Sequence, residues 1–148
     1  MSVVYLGRHQ FLETLGAVKF LRPEMYQNKE VTERFRREAL ATRELNHDNI
    51  VLVHDFNFHE EFCYDRGLEY LEGQEMADLI PESPQPIEWI LGVLKQVCSG
   101  LSATHKAGIV HRDLKPSNIF LLPDEPFPKA KILDFGIAKQ QKVDHQLT

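Results

Sequence analysis

Charged and polar side chains interrupt an apolar stretch at residues 109 to 122, which reads IVHRDLKPSNIFLL. A segment with helical periodicity precedes this stretch, and the apolar run from Ile119 to Leu122 closes it. A charge that is buried without a partner is costly, so these side chains need partners or a chemical task. The fold must therefore bring a helix end, a charged loop and a strand together around polar groups.

Periodicity divides the rest of the chain into strands and helices. β-branched and aromatic runs bounded by turn residues predict strands, and apolar residues at helical spacing predict helices. Pro86 suits the first turn of the second helix, and Gly108 suits the position after its end. The predicted strands are 2–8, 15–21, 47–59, 62–73, 119–122 and 129–133, and the predicted helices are 30–45 and 87–107. The face predicted to be apolar on the second helix comprises Ile87, Ile90, Leu91, Leu94, Val97, Cys98, Leu101 and His105.

The first predicted helix carries a carboxylate, Glu38, on its otherwise inward stripe. A buried carboxylate requires a cation or hydrogen-bond donors. Lys19 is the lone cation in the predicted strand 15–21, and Arg34 offers an alternative partner one helical turn away. The sequence does not decide between Lys19 and Arg34 as the partner of Glu38. The stripe comprises Val31, Phe35, Glu38, Thr42 and Leu45.

Three oxygen-bearing side chains are predicted to converge at one end of the last hairpin. Asp113 and Asn118 precede its first strand, and Asp134 follows its second strand. Oxygen ligands without clustered Cys or His suit a hard cation such as Mg²⁺, which completes its shell with water and phosphates. Lys115 can neutralise a phosphoryl group, and Asp113 can accept the proton of an attacking hydroxyl. This pattern indicates a magnesium nucleotide site.

Composition excludes several classes of protein. The net charge of −5 and the pI near 5.8 argue against a nucleic acid partner or an acidic membrane surface. Cys63 and Cys98 lack metal-ligand spacing and are interpreted as reduced residues of the core or its boundary. No run reaches the roughly 18 apolar residues of a membrane helix, so we expect no membrane segment and a cytoplasmic location.

The motifs HRDLKPSN at 111–118, DFG at 134–136, AVK at 17–19 and FRREA at 35–39 occur in the order found in protein kinases. On these residues the chain resembles the eukaryotic-like, bacterial Hanks-type serine/threonine protein kinases. The resemblance implies an α+β, protein-kinase-like fold, with an antiparallel N-lobe sheet, helix C and the beginning of a helical C-lobe. It places the N-lobe at about 1–72, the hinge at about 69–74 and a partial C-lobe at about 75–148.

The resemblance also implies the catalytic roles. Lys19 would hold the α and β phosphates of ATP and pair with Glu38, as the buried stripe already suggested. Asp113 would be the catalytic base, and Lys115 would steady the transferred phosphoryl group. The implied magnesium ligands are Asn118 and Asp134.

A nucleotide pocket and a regulatory residue follow from the same resemblance. Adenine would lie between Val4 and Ala17 on one side and Phe120 on the other. The backbone from Glu69 to Leu71 would form the hinge, and Leu68 would guard the pocket behind it. Arg112 would receive a phosphorylated residue of the activation loop.

The resemblance implies an ATP- and Mg²⁺-dependent kinase whose substrate is a Ser or Thr hydroxyl of another protein. Ser2 falls on the third glycine position of the phosphate loop, and Thr148 falls within the activation loop. We therefore expect a domain truncated at both ends, with little activity alone and association through an exposed C-lobe surface. The alternative is a noncatalytic kinase remnant that binds nucleotide weakly or binds a partner.

Overall fold

The computed structural model describes residues 2–57, 65–80, 84–124 and 126–134, and these form two sheets with helices beside them. The first sheet is antiparallel and four-stranded, in the order β1-β2-β4-β3. Helix α1 packs against it next to β3. The elements of this half are β1 Ser2–Arg8, β2 Leu15–Leu21, α1 Lys29–Arg43, β3 Val53–Asn57 and β4 Asp65–Glu69.

The second sheet has three strands in the order β5-β6-β7, and it packs against the longest helix. Its buried cluster comes mainly from the apolar positions of β6, β7 and that helix, together with Leu45 and Ile50. The elements of this half are β5 Gln74–Glu75, α2 Met76–Leu79, α3 Ile87–Lys106, β6 Ile119–Leu122 and β7 Lys129–Ile132. The α+β class and the two predicted hairpins are confirmed, with β7 one residue shorter than expected.

Helix α1 begins and ends close to the predicted bounds. The Asn28 side chain accepts a hydrogen bond from the Val31 amide at 3.2 Å, which caps the first turn. The Leu45 amide donates to the Thr42 carbonyl at 3.1 Å, so the chain leaves the helix through a tighter turn. Phe35 and Thr42 of the predicted stripe are buried, as is Leu45 just beyond the helix.

Helix α3 has the predicted length, but its buried face differs from the predicted one. Its buried residues are Val93, Val97, Gly100 and Thr104. From the predicted face, Ile87 and Leu91 are 60% and 59% exposed, while Leu94, Cys98 and His105 are also exposed.

The reason for this difference is a close backbone approach at Gly100. A Cβ atom there would lie 2.9 Å from Ile132 Cδ1 and 3.0 Å from the Asn49 carbonyl oxygen. The small residues of α3 therefore face β7, and several of its large residues face outward. None of the helices in the described residues is both long and apolar enough to cross a membrane.

The ends of α3 follow local rules. Pro86 occupies the N-cap rather than the first turn. Gly108 has φ of 74°, its amide donates to the His105 carbonyl, and the Ile109 amide donates to the Thr104 carbonyl. This paired arrangement is the Schellman end that a C-terminal glycine permits, as the sequence predicted.

The prediction of a strand beginning at residue 47 is wrong. The Asn49 amide donates to His47 Nδ1, and the Ile50 amide donates to the His47 carbonyl, so residues 47–50 form a turn. Ile50 pairs with Ile132 of β7 through a parallel bridge, and the chain then enters the first sheet as β3 at Val53. The predicted strand 62–73 ends earlier than expected, at Glu69, and residues 58–64, Cys63 among them, lie outside the described parts of the chain.

Candidate active site

Lys19 lies in the middle of β2 and forms an ion pair across the two sheets. Its side chain is 8% exposed, and its Nζ atom is 2.5 Å from Oδ1 of Asp134, whose side chain is 44% exposed. The side chains of Glu38 and Arg34 lie outside the described parts of the structure. The pairing of Lys19 with Glu38 and its alternative therefore stay predictions.

The loop between α3 and β6 brings its polar residues together by hydrogen bonds. Lys115 Nζ is 3.2 Å from Asp113 Oδ2. Asn118 Nδ2 donates to the Asp113 carbonyl at 2.8 Å and lies 3.4 Å from Asp113 Oδ2. The Leu133 amide donates to the Asn118 carbonyl at 2.9 Å, so the loop is tied to the residue before Asp134. The predicted convergence of Asp113, Asn118 and Asp134 is thus present in the fold.

The donor set at this point fits a magnesium ion that is shared with a phosphate. Asn118 uses Nδ2 as a donor, and within the described residues its Oδ1 atom accepts no hydrogen bond. Asp134 supplies an anionic oxygen. No group of three or more His, Cys, Asp or Glu side chains in those residues could hold a metal ion. Two protein oxygens completed by phosphate and water are a usual shell for Mg²⁺.

His111 and Arg112 shape the start of the loop. His111 is 2% exposed, and both its carbonyl oxygen and its Nδ1 atom accept from the Asp113 amide, at 2.9 and 3.3 Å. Burial lowers the pKa of the imidazole below its ordinary value of 6.5, against opposing effects of the Leu133 backbone and of Asp113 and Asp134. Arg112 has φ of 60°, a conformation that is uncommon for residues other than glycine, and its side chain is exposed.

A cavity of about 330 Å³ lies between the two sheets, beside these polar groups. Its volume is at the lower end of the range for small-molecule sites. Every residue predicted to contact nucleotide lines it, together with Asp134; these are Val4, Ala17, Lys19, Leu68, Glu69, Leu71 and Phe120. Tyr70, within the predicted hinge, also lines it, and the sequence interpretation missed the further lining residues Tyr5, Leu6, Val51, Glu75 and Leu133.

The missed residues differ in how visible they are in the sequence. Leu133 precedes Asp134 and could have been found from that position. Val51 precedes β3 and its amide donates to the Ile132 carbonyl of the second sheet. The strand pattern of the sequence did not predict this bond. Glu75 belongs to a two-residue strand and has no sequence signal.

Gly73 sets the distance between the segment after β4 and strand β6. A Cβ atom at this position would overlap the carbonyl oxygen of Leu121 and lie 2.9 Å from its carbonyl carbon. Pairing of Gln74 with Leu121 and of Glu75 with Phe120 follows directly. The close approach therefore places one wall of the cavity against the strand that carries Phe120.

A larger cavity, of about 860 Å³, lies on the other side of this segment. Trp89, Leu79 and Pro128 contribute to its lining, and Asp124 is the only charged residue among its described lining residues. None of the paired acidic and basic groups described above reaches it. Within the described residues, the larger cavity therefore lacks the groups that could bind phosphate and metal, whereas the smaller cavity has them, so the smaller cavity is the candidate nucleotide site.

Comparison with known proteins gives a consistent result. A model of the protein kinase domain family matches residues 1–148. The chain is 40% identical over 140 residues to the serine/threonine-protein kinase Pkn1 of Myxococcus xanthus, covering 94% of this chain and 20% of Pkn1. Among the curated relatives compared, the chain spans between 17% and 30% of their lengths.

Solved structures show the same similarity. The crystal structure of the Mycobacterium tuberculosis PknI kinase domain matches with a TM-score of 0.76 and 31% identity, over 95% of this chain and 56% of that one. The crystal structure of Rad53 1-466 in complex with AMP-PNP matches with a TM-score of 0.76 and 27% identity, over 92% of this chain and 35% of that one.

Proposed function

The chain belongs to the protein kinase domain family, and from this premise we propose that it is part of an ATP- and Mg²⁺-dependent serine/threonine protein kinase. One observation carries the proposal. The Asp113 loop, with Lys115 and Asn118, is hydrogen-bonded to the strand end that presents Asp134 beside Lys19. Lys19 and Asp134 line a cavity between the two sheets, where a nucleotide can be enclosed.

The proposed roles follow from charge and position. Asp113 accepts the proton of the attacking hydroxyl, and Lys115 neutralises the phosphoryl group as it is transferred. Lys19 binds the α and β phosphates and, in the catalytic arrangement, pairs with Glu38. Asn118 and Asp134 hold Mg²⁺, which supplies charge neutralisation at the phosphate oxygens when it is bound.

The adenine position follows from the cavity. The apolar side chains of Val4 and Ala17 line one wall, and Phe120 lines the opposite one. The backbone from Glu69 to Leu71 offers the hydrogen-bonding groups that a purine edge needs. Rad53, at 27% identity, has been crystallised with AMP-PNP, which supports nucleotide binding here.

The substrate proposed is a serine or threonine hydroxyl of another protein. The relatives that are compared are named serine/threonine-protein kinases, and Lys115 after HRDL is typical of that branch. Arg112, which is exposed beside the base, is proposed to bind a phosphorylated loop residue. The lobe division at about 1–72, 69–74 and 75–148 and the cytoplasmic location stay predictions.

The 148-residue chain by itself is proposed to transfer phosphate poorly. The outward face of α3 exposes Ile87, Leu91 and Leu94, and an exposed apolar face favours association. Catalytic geometry also needs support, because a displacement of about 1 Å can lower a rate on the order of a hundredfold. Nucleotide binding without transfer would match the alternative function, a noncatalytic binding module.

Phosphate transfer and nucleotide binding should be measured separately. The purified chain is incubated with radiolabelled ATP, a Ser/Thr-containing protein and either Mg²⁺ or a chelator, beside a longer polypeptide that adds the helical half of the PknI kinase domain. We expect Mg²⁺-dependent transfer by the longer polypeptide, loss of that transfer in its Asp113→Asn variant, and little transfer by the 148-residue chain. Phosphate transfer that is equally fast with the chelator and in the Asp113→Asn variant would refute the proposed function.

A further inference from the structure

A second ion pair of a buried lysine lies under the hinge, apart from the Lys19 pair. Lys131 is in β7 between Ala130 and Ile132, and it is 8% exposed. Its Nζ atom is 2.5 Å from Oε1 of Glu69 and within 3.4 Å of the Ile50 carbonyl oxygen. The pair joins the second sheet to the last residue of β4.

Glu69 is held to residue 52 by both its side chain and its backbone. Its Oε1 atom accepts from the Leu52 amide at 2.8 Å, and its own amide donates to the Leu52 carbonyl at 3.0 Å. One carboxylate oxygen therefore joins Lys131, Leu52 and the start of the hinge. Charge-assisted hydrogen bonds of this kind are stronger than neutral ones and fix geometry as well as contact.

The register of the second sheet connects this pair to the nucleotide cavity. Lys131 pairs with Phe120 across β6 and β7, and directly opposite residues in antiparallel strands have their side chains on the same face. Phe120 lines the cavity, as do Glu69, Tyr70 and Leu71. The hinge and the opposite wall of the cavity are thus linked through one lysine.

Removing only the lysine would leave the Glu69 carboxylate, whose side chain is 23% exposed, without its cation. An unpaired carboxylate that is only partly exposed is unfavourable, so it moves toward water or rearranges its neighbours. Either response would disturb the bond to the Leu52 amide and the backbone that follows Glu69. The disturbance should be largest at the hinge, where we propose that the nucleotide base binds, because Lys19 and Asp134 belong to a separate pair.

We propose that Lys131 is a positioning residue that, through Glu69, fixes the hinge backbone of residues 69–71 relative to Phe120. The proposal rests on the proposed function in one respect, namely that the base of the nucleotide binds at this hinge. It assigns to Lys131 no contact with the nucleotide. Its effect on binding is therefore confined to ligands that carry a base.

The binding test uses four variants of the 148-residue chain and two ligands. The variants are Lys131→Met, Lys131→Arg, Glu69→Gln and the double variant Glu69→Gln with Lys131→Met. Calorimetry measures affinity for Mg·ADP and for Mg·tripolyphosphate, which has no base. We expect Lys131→Met to weaken Mg·ADP binding by about tenfold while Mg·tripolyphosphate binding is unchanged, because only the hinge contacts are lost.

The other variants make the result specific. Lys131→Arg keeps the charge and should restore most of the Mg·ADP affinity. The double variant should bind Mg·ADP better than Lys131→Met does, since it has no unpaired carboxylate and the side-chain oxygen of the introduced glutamine can still accept from the Leu52 amide. If Lys131→Met does not fold, Glu69→Gln decides the matter, because it weakens the same pair while the glutamine oxygen and the Ile50 carbonyl can still accept from Lys131. Equal weakening of both ligands, or of neither, would overturn the proposal.

Amide hydrogen exchange provides a readout that needs no ligand. In Lys131→Met the amides of Leu52 and Glu69 should exchange faster than in the unaltered chain, while that of Val97 in α3 should not. A purely structural loss would accelerate all three, and that result, like no change at all, would contradict a positioning role. If the unaltered chain binds neither ligand, the proposed function fails, while the exchange comparison still decides whether Lys131 positions the hinge.

Discussion

Gly73→Ala should damage both stability and nucleotide binding, through a single misplaced methyl group. The new Cβ atom would overlap the Leu121 carbonyl oxygen and lie 2.9 Å from its carbon and 3.1 Å from Leu122 Cα. All of these are backbone atoms of β6, so no flexible side chain can move aside. Restoring ordinary contact distances requires a separation of about 1 Å between the two segments.

The expected loss of stability has two opposing parts. Overpacking of this kind costs about 1–3 kcal/mol, whereas replacing glycine by alanine restricts the unfolded chain and returns about 0.4–1 kcal/mol. The net loss is about 1–2 kcal/mol, which for a chain of this length lowers the melting temperature by about 2–8 °C. Because the displaced strand carries Phe120, affinity for Mg·ADP should also fall by about tenfold or more.

Chemical denaturation and calorimetry test this prediction beside a matched glycine. Gly16 lies in β2, and a Cβ atom there would be 3.4 Å from its nearest neighbour, the Leu68 carbonyl oxygen. Gly16→Ala should therefore leave the free energy of unfolding unchanged or slightly raised. If Gly73→Ala behaves like Gly16→Ala in both assays, the close approach of the hinge to β6 has been misjudged.

Three further predictions concern the charged groups. In a polypeptide active for transfer, Lys19→Met should reduce phosphoryl transfer far more than thermal stability, and unchanged turnover would contradict its role in binding phosphate. Asp134→Asn should weaken Mg²⁺-dependent nucleotide binding, whereas Asp113→Asn should slow transfer with binding nearly intact; equal losses of affinity by calorimetry would refute this division. Because burial lowers the pKa of His111 in the folded chain, the unfolded chain takes up more protons below pH 6.5. The free energy of unfolding should therefore fall as the pH is lowered from neutral through 6.5, and His111→Gln should flatten that part of the profile.

The sequence predicts some parts of the fold well for clear physical reasons. The strands Ser2–Arg8 and Leu15–Leu21 and the hairpin of β6 and β7 are encoded by local alternation and turns, so their bounds match within a residue. The polar groups around Asp113 and Asp134 also converge as predicted, because the ends of one hairpin must lie together. Each of these features depends on residues that are close together in the sequence.

Features that depend on contacts between distant segments were not predictable in this way. The buried face of α3 includes Gly100 and Thr104, which an apolar count overlooks, because the Ile132 side chain of β7 and the Asn49 carbonyl approach Gly100 closely. Residues 47–52 have a strand-like composition, but they begin with a turn, and Asn49 and Val51 bond to Ile132 of β7 before Leu52 reaches the first sheet. Lys131 could have been noticed, since it is flanked by apolar residues in a strand just as Lys19 is, but its partner Glu69 could not.

The segment of residues 49–52 has a mechanical consequence for motion between the two sheets. The Ile132 amide donates to the Asn49 carbonyl, and the Val51 amide donates to the Ile132 carbonyl. Leu52 is hydrogen-bonded to Glu69, so this short segment is bonded to both sheets. Any rocking of one sheet over the other must then pivot about it, with little displacement at the pivot. The hairpin tip around Phe11 joins β2 to β1, the edge strand opposite β3, so it should move more than residues beside the pivot. Pairs of spin labels should accordingly report a broad distance distribution between that tip and α3, and a narrow one between residue 54 and α3.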